Sequence, residues 1–235
     1  MVEIIKSDVK NKFAKFKEQY QHLYSKEAWQ YIEDYFFEQL NEKDAPDILM
    51  QIYSELKINP SPARFYHRHL RLIKKLFPLD GNIIEIGSGM IPAFANLVAN
   101  EQRKIKAGTI TLYEPLLLPE KPKYPNMTFH KETFTTETDL TNYDLVLGIM
   151  PCEATESILE NAIKSRKDFY VAMCGCVHSP LSYFYGYYSI SPELYQSHVI
   201  NNAIKLSKEY DNGEIEVTRL KNTELDYPIL YNRRR

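Results

Sequence analysis

The chain has 235 residues, of which 44% are hydrophobic and 26% are charged, a composition typical of one globular α/β domain with a small extension. Its formal net charge is -2, from 29 basic and 31 acidic side chains. This balance excludes a general attraction to nucleic acid or to an anionic membrane, so any such contact would need a local patch.

The N-terminal 21 residues are rich in Lys and contain no apolar core of the kind found in secretory signals. Apolar runs elsewhere are of strand length and too short to cross a bilayer. The three cysteines have no framework spacing, which favours reduced thiols in a reducing compartment. We therefore predict a soluble, cytoplasmic protein.

The N-terminal third is predicted to be helical. Apolar residues recur at spacings of three and four within residues 13–24 and 29–40, and a third short helix is predicted over 47–56. The Pro-rich segment 59–62 is a candidate linker, and a fourth helix is predicted from about Pro62 to Phe77. We predict a helical extension over residues 1–80.

From residue 82 the pattern changes to short apolar strands that alternate with helices, which is typical of βαβ units and a parallel sheet. The last two strands flank a short polar loop and are expected to form an antiparallel hairpin. We predict an α/β domain over residues 81–235. Its predicted strands are residues 82–86, 109–113, 127–130, 143–149, 168–177, 214–220 and 227–231, with helices at about 92–101, 153–164 and 192–210.

The first predicted strand runs into a glycine turn, Glu85-Ile86-Gly87-Ser88-Gly89-Met90-Ile91-Pro92. Glycines at such a position let the backbone turn tightly and approach a ligand. Ligands of open α/β sheets bind at the carboxyl ends of the strands. The next strand ends at Glu114, whose carboxylate could accept hydrogen bonds from both hydroxyls of a ribose.

A phosphate ligand is disfavoured at this turn. Pro92 stands where the third glycine of a dinucleotide fingerprint would be, and the carboxylate of Glu85 would repel a phosphate. That carboxylate suits a ligand with an ammonium group instead.

These features resemble class I S-adenosylmethionine-dependent methyltransferases, whose first motif reads acid-x-Gly-x-Gly and whose second strand closes with an acid. The resemblance covers about residues 82–235 and implies a Rossmann-like, mostly parallel seven-stranded sheet with a C-terminal antiparallel hairpin, and S-adenosyl-L-methionine as cofactor. Ile91 stands where the family often has a third motif glycine. The residues implied to contact the cofactor are Glu85, Gly87, Ser88, Gly89, Met90, Glu114, Pro115, Thr133, Phe134, Ile149 and Met150.

The resemblance implies a role for each segment. The motif glycines line the methionine part, and Glu114 holds the ribose. Residues 132–134 flank the adenine, and residues 149–151 face the reacting methyl group.

Two residues are candidate catalytic groups. Glu153 could act as a general base, or it could simply be an acid that stabilises a helix amino end. His178 lies at a predicted strand end and could contact substrate. Cys174, Cys176 and His178 alternate along one strand, but their spacing differs from that of zinc sites, so a core strand is predicted there.

The sequence does not identify the methyl acceptor. Residues 150–153 read Met-Pro-Cys-Glu rather than the Asp/Asn-Pro-Pro-aromatic sequence of many amine methyltransferases. The aromatic residues within 183–188 could form a wall for a planar substrate or could pack on the core. The basic helix at residues 64–75 could contact RNA or could be a solvated face. We predict a small-molecule substrate rather than RNA.

Two alternatives remain to the methyltransferase interpretation. The segment Gly87-Ser88-Gly89-Met90-Ile91-Pro92 also resembles the turn of nicotianamine synthase-like enzymes, which transfer the aminocarboxypropyl arm of the same cofactor. The fold could also serve as a non-catalytic cofactor-binding scaffold.

Overall fold

The computed structural model describes most of the chain from residue 62 onward. The helices predicted before that point lie outside the described residues, except for Ala14, Lys17 and Glu18, which are helical. Described, besides these three, are residues 62–89, 92–117, 121–174, 192–220 and 227–232.

The described elements alternate as the sequence predicts. They are α1 (Pro62–Leu76), β1 (Asn82–Ile86), α2 (Ala93–Ile105), β2 (Thr109–Tyr113), β3 (Met127–His130), β4 (Leu145–Ile149), a 3₁₀ turn (Cys152–Ala154), α3 (Thr155–Lys164), β5 (Asp168–Ala172), α4 (Pro192–Tyr210), β6 (Ile215–Thr218) and β7 (Ile229–Asn232).

One seven-stranded sheet has the order β3-β2-β1-β4-β5-β7-β6. The first five strands are parallel. Strand β7 runs antiparallel to both β5 and β6. The predicted fold class, a mostly parallel seven-stranded α/β sheet that ends in an antiparallel hairpin, is confirmed.

Four predicted strands are longer than the observed ones, and the last two of these are observed as β6 (Ile215–Thr218) and β7 (Ile229–Asn232). Strand β4 begins at Leu145 rather than Tyr143, because the Tyr143 N–H closes a turn by donating to the Leu140 carbonyl (3.0 Å). Strand β5 ends at Ala172, and residues 175–177 of the prediction lie outside the described part.

Alternate residues of each central strand face opposite sides of the sheet, and both sides are covered. On one side Ile83 and Leu145 pack with α1 and α2. On the other side Ile84 and Val146 pack with α3 and α4. Helix α1 contributes Tyr66, Leu70 and Ile73 to the first of these cores, and Phe77 follows directly after the helix. The boundary predicted near residue 80 stays a prediction, but the described core extends back at least to Tyr66.

His69 belongs to this core rather than to the basic face of α1. It is 2% exposed, and its Nδ1 lies 2.7 Å from the Tyr170 hydroxyl. Burial, with a smaller contribution from the Arg68 charge, lowers the pKa of His69 to about 3. The imidazole is therefore neutral and unable to serve the phosphate-binding patch considered for this helix. Arg71, Lys74 and Lys75 of α1 are exposed, and Lys74 pairs with Glu101 on α2.

Within the described residues, no helix combines the length and the apolar character that a bilayer span requires.

Candidate functional site

A cleft of about 440 Å³ lies at the carboxyl ends of β1, β2 and β4. Strand order reverses here, because the chain leaves β1 toward β2 on one side and later returns to β4 on the other. Open α/β sheets bind their ligands at such a point. The described residues that line the cleft are Ile86, Gly87, Gly89, Tyr113, Glu114, Pro115, Leu116, Thr133, Phe134, Pro151, Cys152, Glu153, Ala154 and Ser157.

The glycine turn needs its glycines. Gly87 and Gly89 have φ values of 69° and 73°, in the left-handed region that side chains disfavour. A Cβ on Gly87 would lie 2.8 Å from the Pro151 Cα. The Gly87 N–H donates to the Tyr113 carbonyl (3.0 Å), which continues the β1–β2 pairing into the turn. The ends of β1 and β4 thus touch at a position where only glycine fits.

Glu114 ties the turns that follow β1 and β2 together. Its Oε2 accepts the Gly89 N–H at 2.8 Å, and its Oε1 accepts the Leu116 N–H at 3.0 Å. The residue is 7% exposed, and its own N–H donates to the His130 carbonyl at 3.0 Å. Each carboxylate oxygen has one backbone donor and retains room for a second. The carboxylate is therefore held at the cleft wall and can still accept bonds from a ligand.

The segment after β4 is strained. Met150 and Cys152 have φ values of 55° and 49°, on either side of Pro151. Left-handed residues other than glycine concentrate at functional sites, where the surrounding structure holds them. Here the Met150 N–H donates to the Ala172 carbonyl (2.8 Å) and the Ala154 N–H to the Pro151 carbonyl (3.1 Å). These bonds hold the part of the cleft lining that follows β4.

Aromatic rings form a third wall. Tyr113 stacks on His130 with centroids 4.6 Å apart and planes within 1°, and it meets Phe134 edge-on at 6.0 Å. Burial, helped by the nearby Tyr143, Glu132 and Asp139, raises the pKa of Tyr113 above its usual range. The phenol is therefore neutral and suited to contact a flat, uncharged ring.

Most of the predicted site residues lie around this one cleft. Those that line it are Gly87, Gly89, Glu114, Pro115, Thr133, Phe134 and Glu153, the last of them exposed. Three others are buried behind it: Glu85 at 1%, Ser88 at 5% and Ile149 at 2% exposure. Met150 packs against the core on the α1–α2 side of the sheet. Met90 and His178 lie outside the described residues.

Several lining residues were missed by the sequence analysis, notably Tyr113, Leu116, Cys152 and Ser157. Tyr113 and Leu116 flank the predicted pair Glu114 and Pro115, so the strand end itself was a usable signal. Cys152 and Ser157 follow β4, and only the path of the 3₁₀ turn into α3 brings them to the cleft.

The cysteines show no sign of a metal centre in the part of the chain that is described. Cys174 is 3% exposed, and the Gln196 side chain donates to its carbonyl at 3.2 Å. Cys176 lies outside the described residues, and no group of three potential metal ligands occurs within them.

No protein-family model matches the chain, and no curated protein matches it. Solved structures with a similar fold include the CMeT domain of the citrinin polyketide synthase (13% identity, TM-score 0.46, covering 82% of this chain and 58% of that one). They also include the N-methyltransferase NodS from Bradyrhizobium japonicum WM9 (12% identity, TM-score 0.43, covering 74% of this chain and 96% of that one). A third is human N-acetylserotonin methyltransferase in complex with SAM (14% identity, TM-score 0.44, covering 90% of this chain and 68% of that one).

This chain thus spans less than two thirds of the first of these structures. The solved structures that it resembles are class I S-adenosylmethionine-dependent methyltransferases, and at these identities the likeness assigns no activity to the chain.

Proposed function

We propose that this protein is an S-adenosyl-L-methionine-dependent methyltransferase whose cofactor lies in the cleft at the carboxyl ends of β1, β2 and β4. The observation that carries the proposal is the meeting of a left-handed glycine turn with the buried, doubly bonded carboxylate of Glu114 in one cleft.

The residues present fit the chemistry of that cofactor. The Glu114 oxygens can each accept one more donor, as the two hydroxyls of a ribose require. Tyr113 and Phe134 offer a neutral aromatic wall for the adenine, next to Thr133. The absence of a Cβ at Gly87 and Gly89 lets the methionine part approach the backbone. Ser88 and Glu85 are buried at the turn, and Glu85 as a carboxylate would favour an ammonium group.

The acceptor side of the cleft is formed by the strained segment after β4. The cofactor supplies an activated methyl group on a sulfonium centre. The protein's contribution is to position the acceptor against that group and to exclude water. Pro151, Cys152 and Ser157 would shape this side. We assign to Glu153, which is exposed at the rim, the role of receiving the proton that an acceptor hydroxyl or amine releases.

Binding of the cofactor tests the first half of the proposal. We expect S-adenosylmethionine and S-adenosylhomocysteine to raise the melting temperature, since a ligand at 100 times its Kd stabilises a protein by about 2.7 kcal/mol. Glu114→Ala should abolish the shift. Glu160→Gln, which alters an exposed carboxylate on α3 paired with Lys164, should leave it unchanged. No shift with either ligand at millimolar concentration contradicts the proposal.

Product analysis tests the second half. The protein, methyl-labelled cofactor and a small-molecule cell extract should yield S-adenosylhomocysteine together with a labelled small molecule. The same incubation with total RNA should label nothing, in line with the small-molecule preference. Methylthioadenosine as the product would instead indicate aminocarboxypropyl transfer, and binding with no product would indicate a non-catalytic scaffold.

A further inference from the structure

A row of cationic side chains crosses the α1–α2 side of the molecule. Arg71, Lys74 and Lys75 are exposed on α1, and their spacings of three and four place them on one face of the helix. Lys74 pairs with Glu101 on α2, and Glu101 also pairs with Lys104 of the same helix. The two helices therefore present their cations side by side.

The row of cations extends beyond the two helices. The Arg103 guanidinium lies over the Tyr124 ring, 4.8 Å from its centroid, and Lys123 Nζ lies 5.5 Å from the same centroid. Lys106, which is exposed, follows the last turn of α2. The cations that form this basic surface are Arg71, Lys74, Lys75, Arg103, Lys104, Lys106 and Lys123.

The basic surface is poor in acidic side chains. Glu101 is the carboxylate that the described contacts place within it, and this residue is shared by two lysines. Asp80, which follows α1, lines a separate cavity at the amino ends of β1 and β4, together with Asp144 and Asp168. The whole chain has a net charge of -2, so the basic surface is a pronounced local excess of positive charge.

Stabilisation of the helix ends explains only part of this charge. Each of the two helices has two cations in its last turn, where they offset the helix dipole. Arg71 precedes that turn, and Lys123 lies before β3 and outside both helices. The side chains of Arg71, Lys75 and Lys106 have no hydrogen-bond or ion-pair partner in the described part of the chain. These three cations are therefore available to an external anion.

The chemistry of the basic surface favours nucleic acid over a protein or a membrane as its partner. Protein interfaces are depleted in Lys and have apolar and aromatic residues at their centre. A membrane-bound surface needs an apolar face. Ile105, 55% exposed, is the one large apolar side chain that the described part of α2 exposes. Interfaces with nucleic acid are instead polar and strongly positive, as this surface is.

We infer that the basic surface binds the phosphate backbone of a nucleic acid without sequence preference, because Lys and Arg contact phosphates without reading the bases. Helix α2 has 13 residues and extends about 20 Å from its start after the glycine turn to this surface. A phosphate bound here lies well outside the cleft. The nucleic acid is therefore a docking partner rather than the methyl acceptor, and the inference does not depend on the function proposed above.

The salt dependence of RNA binding tests the inference. The probes are a labelled single-stranded oligouridylate of about 20 nucleotides and an RNA duplex of about the same length, titrated by fluorescence anisotropy between about 50 and 200 mM KCl. The logarithm of the binding constant should fall linearly with the logarithm of the salt concentration. For the single strand the slope should be about -0.7 per neutralised phosphate.

The surface variant combines Arg71→Gln, Lys75→Gln and Lys106→Gln. It removes three charges and no described side-chain bond, so the fold should be retained. Its slope for the single strand should be shallower by about 2, since three phosphate contacts are lost. Its affinity for RNA at the lowest salt concentration should fall at least tenfold.

The matched control combines Lys164→Gln, Lys205→Gln and Lys208→Gln. These changes remove three exposed charges from α3 and α4, which cover the opposite side of the sheet. Its affinity for RNA should stay within twofold of the wild-type value, with an unchanged slope. S-adenosylmethionine should not displace the RNA, because the basic surface lies apart from the cleft.

Four results would each overturn the inference. They are no binding of either RNA at about 100 µM protein and the lowest salt concentration, an unchanged slope in the surface variant, equal losses in the two variants, and displacement of the RNA by S-adenosylmethionine. Tighter binding of polyglutamate or of phosphatidylserine vesicles than of RNA would also overturn it, and would assign the surface to an acidic protein or to a membrane. The proposed function is unaffected by these results, since it is tested by S-adenosylmethionine binding and by product analysis.

Discussion

The two ends of β1 look alike in several respects. A cavity of about 400 Å³ lies at the amino end, against about 440 Å³ for the cleft at the carboxyl end. Each end has a glycine and a carboxylate that accepts a backbone N–H from β1 or its turn. Asp144 Oδ2 accepts the Asn82 N–H at 2.8 Å, and Glu114 Oε2 accepts the Gly89 N–H at 2.8 Å.

They differ in burial and in backbone conformation. Asp144 is exposed, whereas Glu114 is 7% exposed. Gly81, at the amino end, is not left-handed, whereas Gly87 and Gly89 are. Cavity volume alone would not distinguish a functional site from a structural corner. A buried carboxylate together with the strained, left-handed Met150 and Cys152 does, because a fold retains such costly features where they serve binding or catalysis.

Adding one methyl group at each end of β1 is the most direct test of the difference between the two ends. Gly87→Ala forces a Cβ into the left-handed region and to 2.8 Å from the Pro151 backbone. We expect a loss of about 3 kcal/mol in unfolding free energy, and loss of cofactor binding. In Gly81→Ala the Cβ meets the side chain of Asp144, which is exposed and can move, so about 1 kcal/mol is expected.

Urea denaturation gives both free energies, and calorimetry with S-adenosylmethionine gives the binding. Equal destabilisation at the two positions would show that the carboxyl-end turn is no more constrained than the amino-end one.

The buried His69 belongs to neither end of β1, and its titration provides a reference for the stability of the core. Burial lowers the pKa of His69 to about 3, so the unfolded chain takes up this proton first as the pH falls. The associated stability is complete above about pH 6.5 and is lost from there toward pH 3. The slope approaches about 1.4 kcal/mol per pH unit. Unfolding curves at pH 7.5, 6 and 4.5 should show about 2.7 kcal/mol of this loss by the lowest pH.

His69→Gln is the control, because Gln can still bond the Tyr170 hydroxyl but does not titrate. Carboxylates that titrate in the same range contribute equally to both proteins and cancel in the difference. Equal pH slopes for the two proteins would mean that His69 is not held neutral by the fold.

The fold class and most strand positions could be predicted from the sequence because they depend on local patterns, while the cofactor site stays a prediction. Apolar runs between turn residues give the strand positions, and the glycine turn with Glu114 marks the carboxyl edge. The bond between Glu114 and Gly89 joins residues 25 apart, and only the parallel register of β1 and β2 brings them together.

Two further features had no local signal. The left-handed Met150 and Cys152 are not glycines, and Pro151 between them lies against Gly87, a contact between residues far apart in the sequence. His69 follows Arg68 and precedes Arg71 by two positions, so composition assigned it to the basic face. Its helical phase with Tyr66, Leu70 and Ile73 places it in the core instead.

Neutralising one carboxylate at each end of β1 tests whether burial distinguishes the two carboxylates. Glu114→Gln places an amide N–H against one of two buried backbone donors, so we expect about 2 kcal/mol of destabilisation. Asp144→Asn can turn its carbonyl oxygen to the Asn82 N–H, and about 0.5 kcal/mol is expected. Only Glu114→Gln should weaken S-adenosylmethionine binding. Comparable destabilisation by the two changes would remove burial as the distinguishing feature.

The smallest effect on stability is expected within the cleft itself. Glu153 lines the same cavity as Glu114 but is exposed, on the 3₁₀ turn that follows β4. Glu153→Gln should therefore change the unfolding free energy by less than about 0.5 kcal/mol. Cofactor affinity should stay within about threefold, since a screened surface charge contributes little.

If Glu153 receives the proton that the acceptor releases, turnover of Glu153→Gln should fall at least tenfold while cofactor affinity is retained. A loss of stability as large as that of Glu114→Gln would mean that the two carboxylates have the same structural role, and that the cleft does not divide into a buried binding wall and an exposed reactive rim.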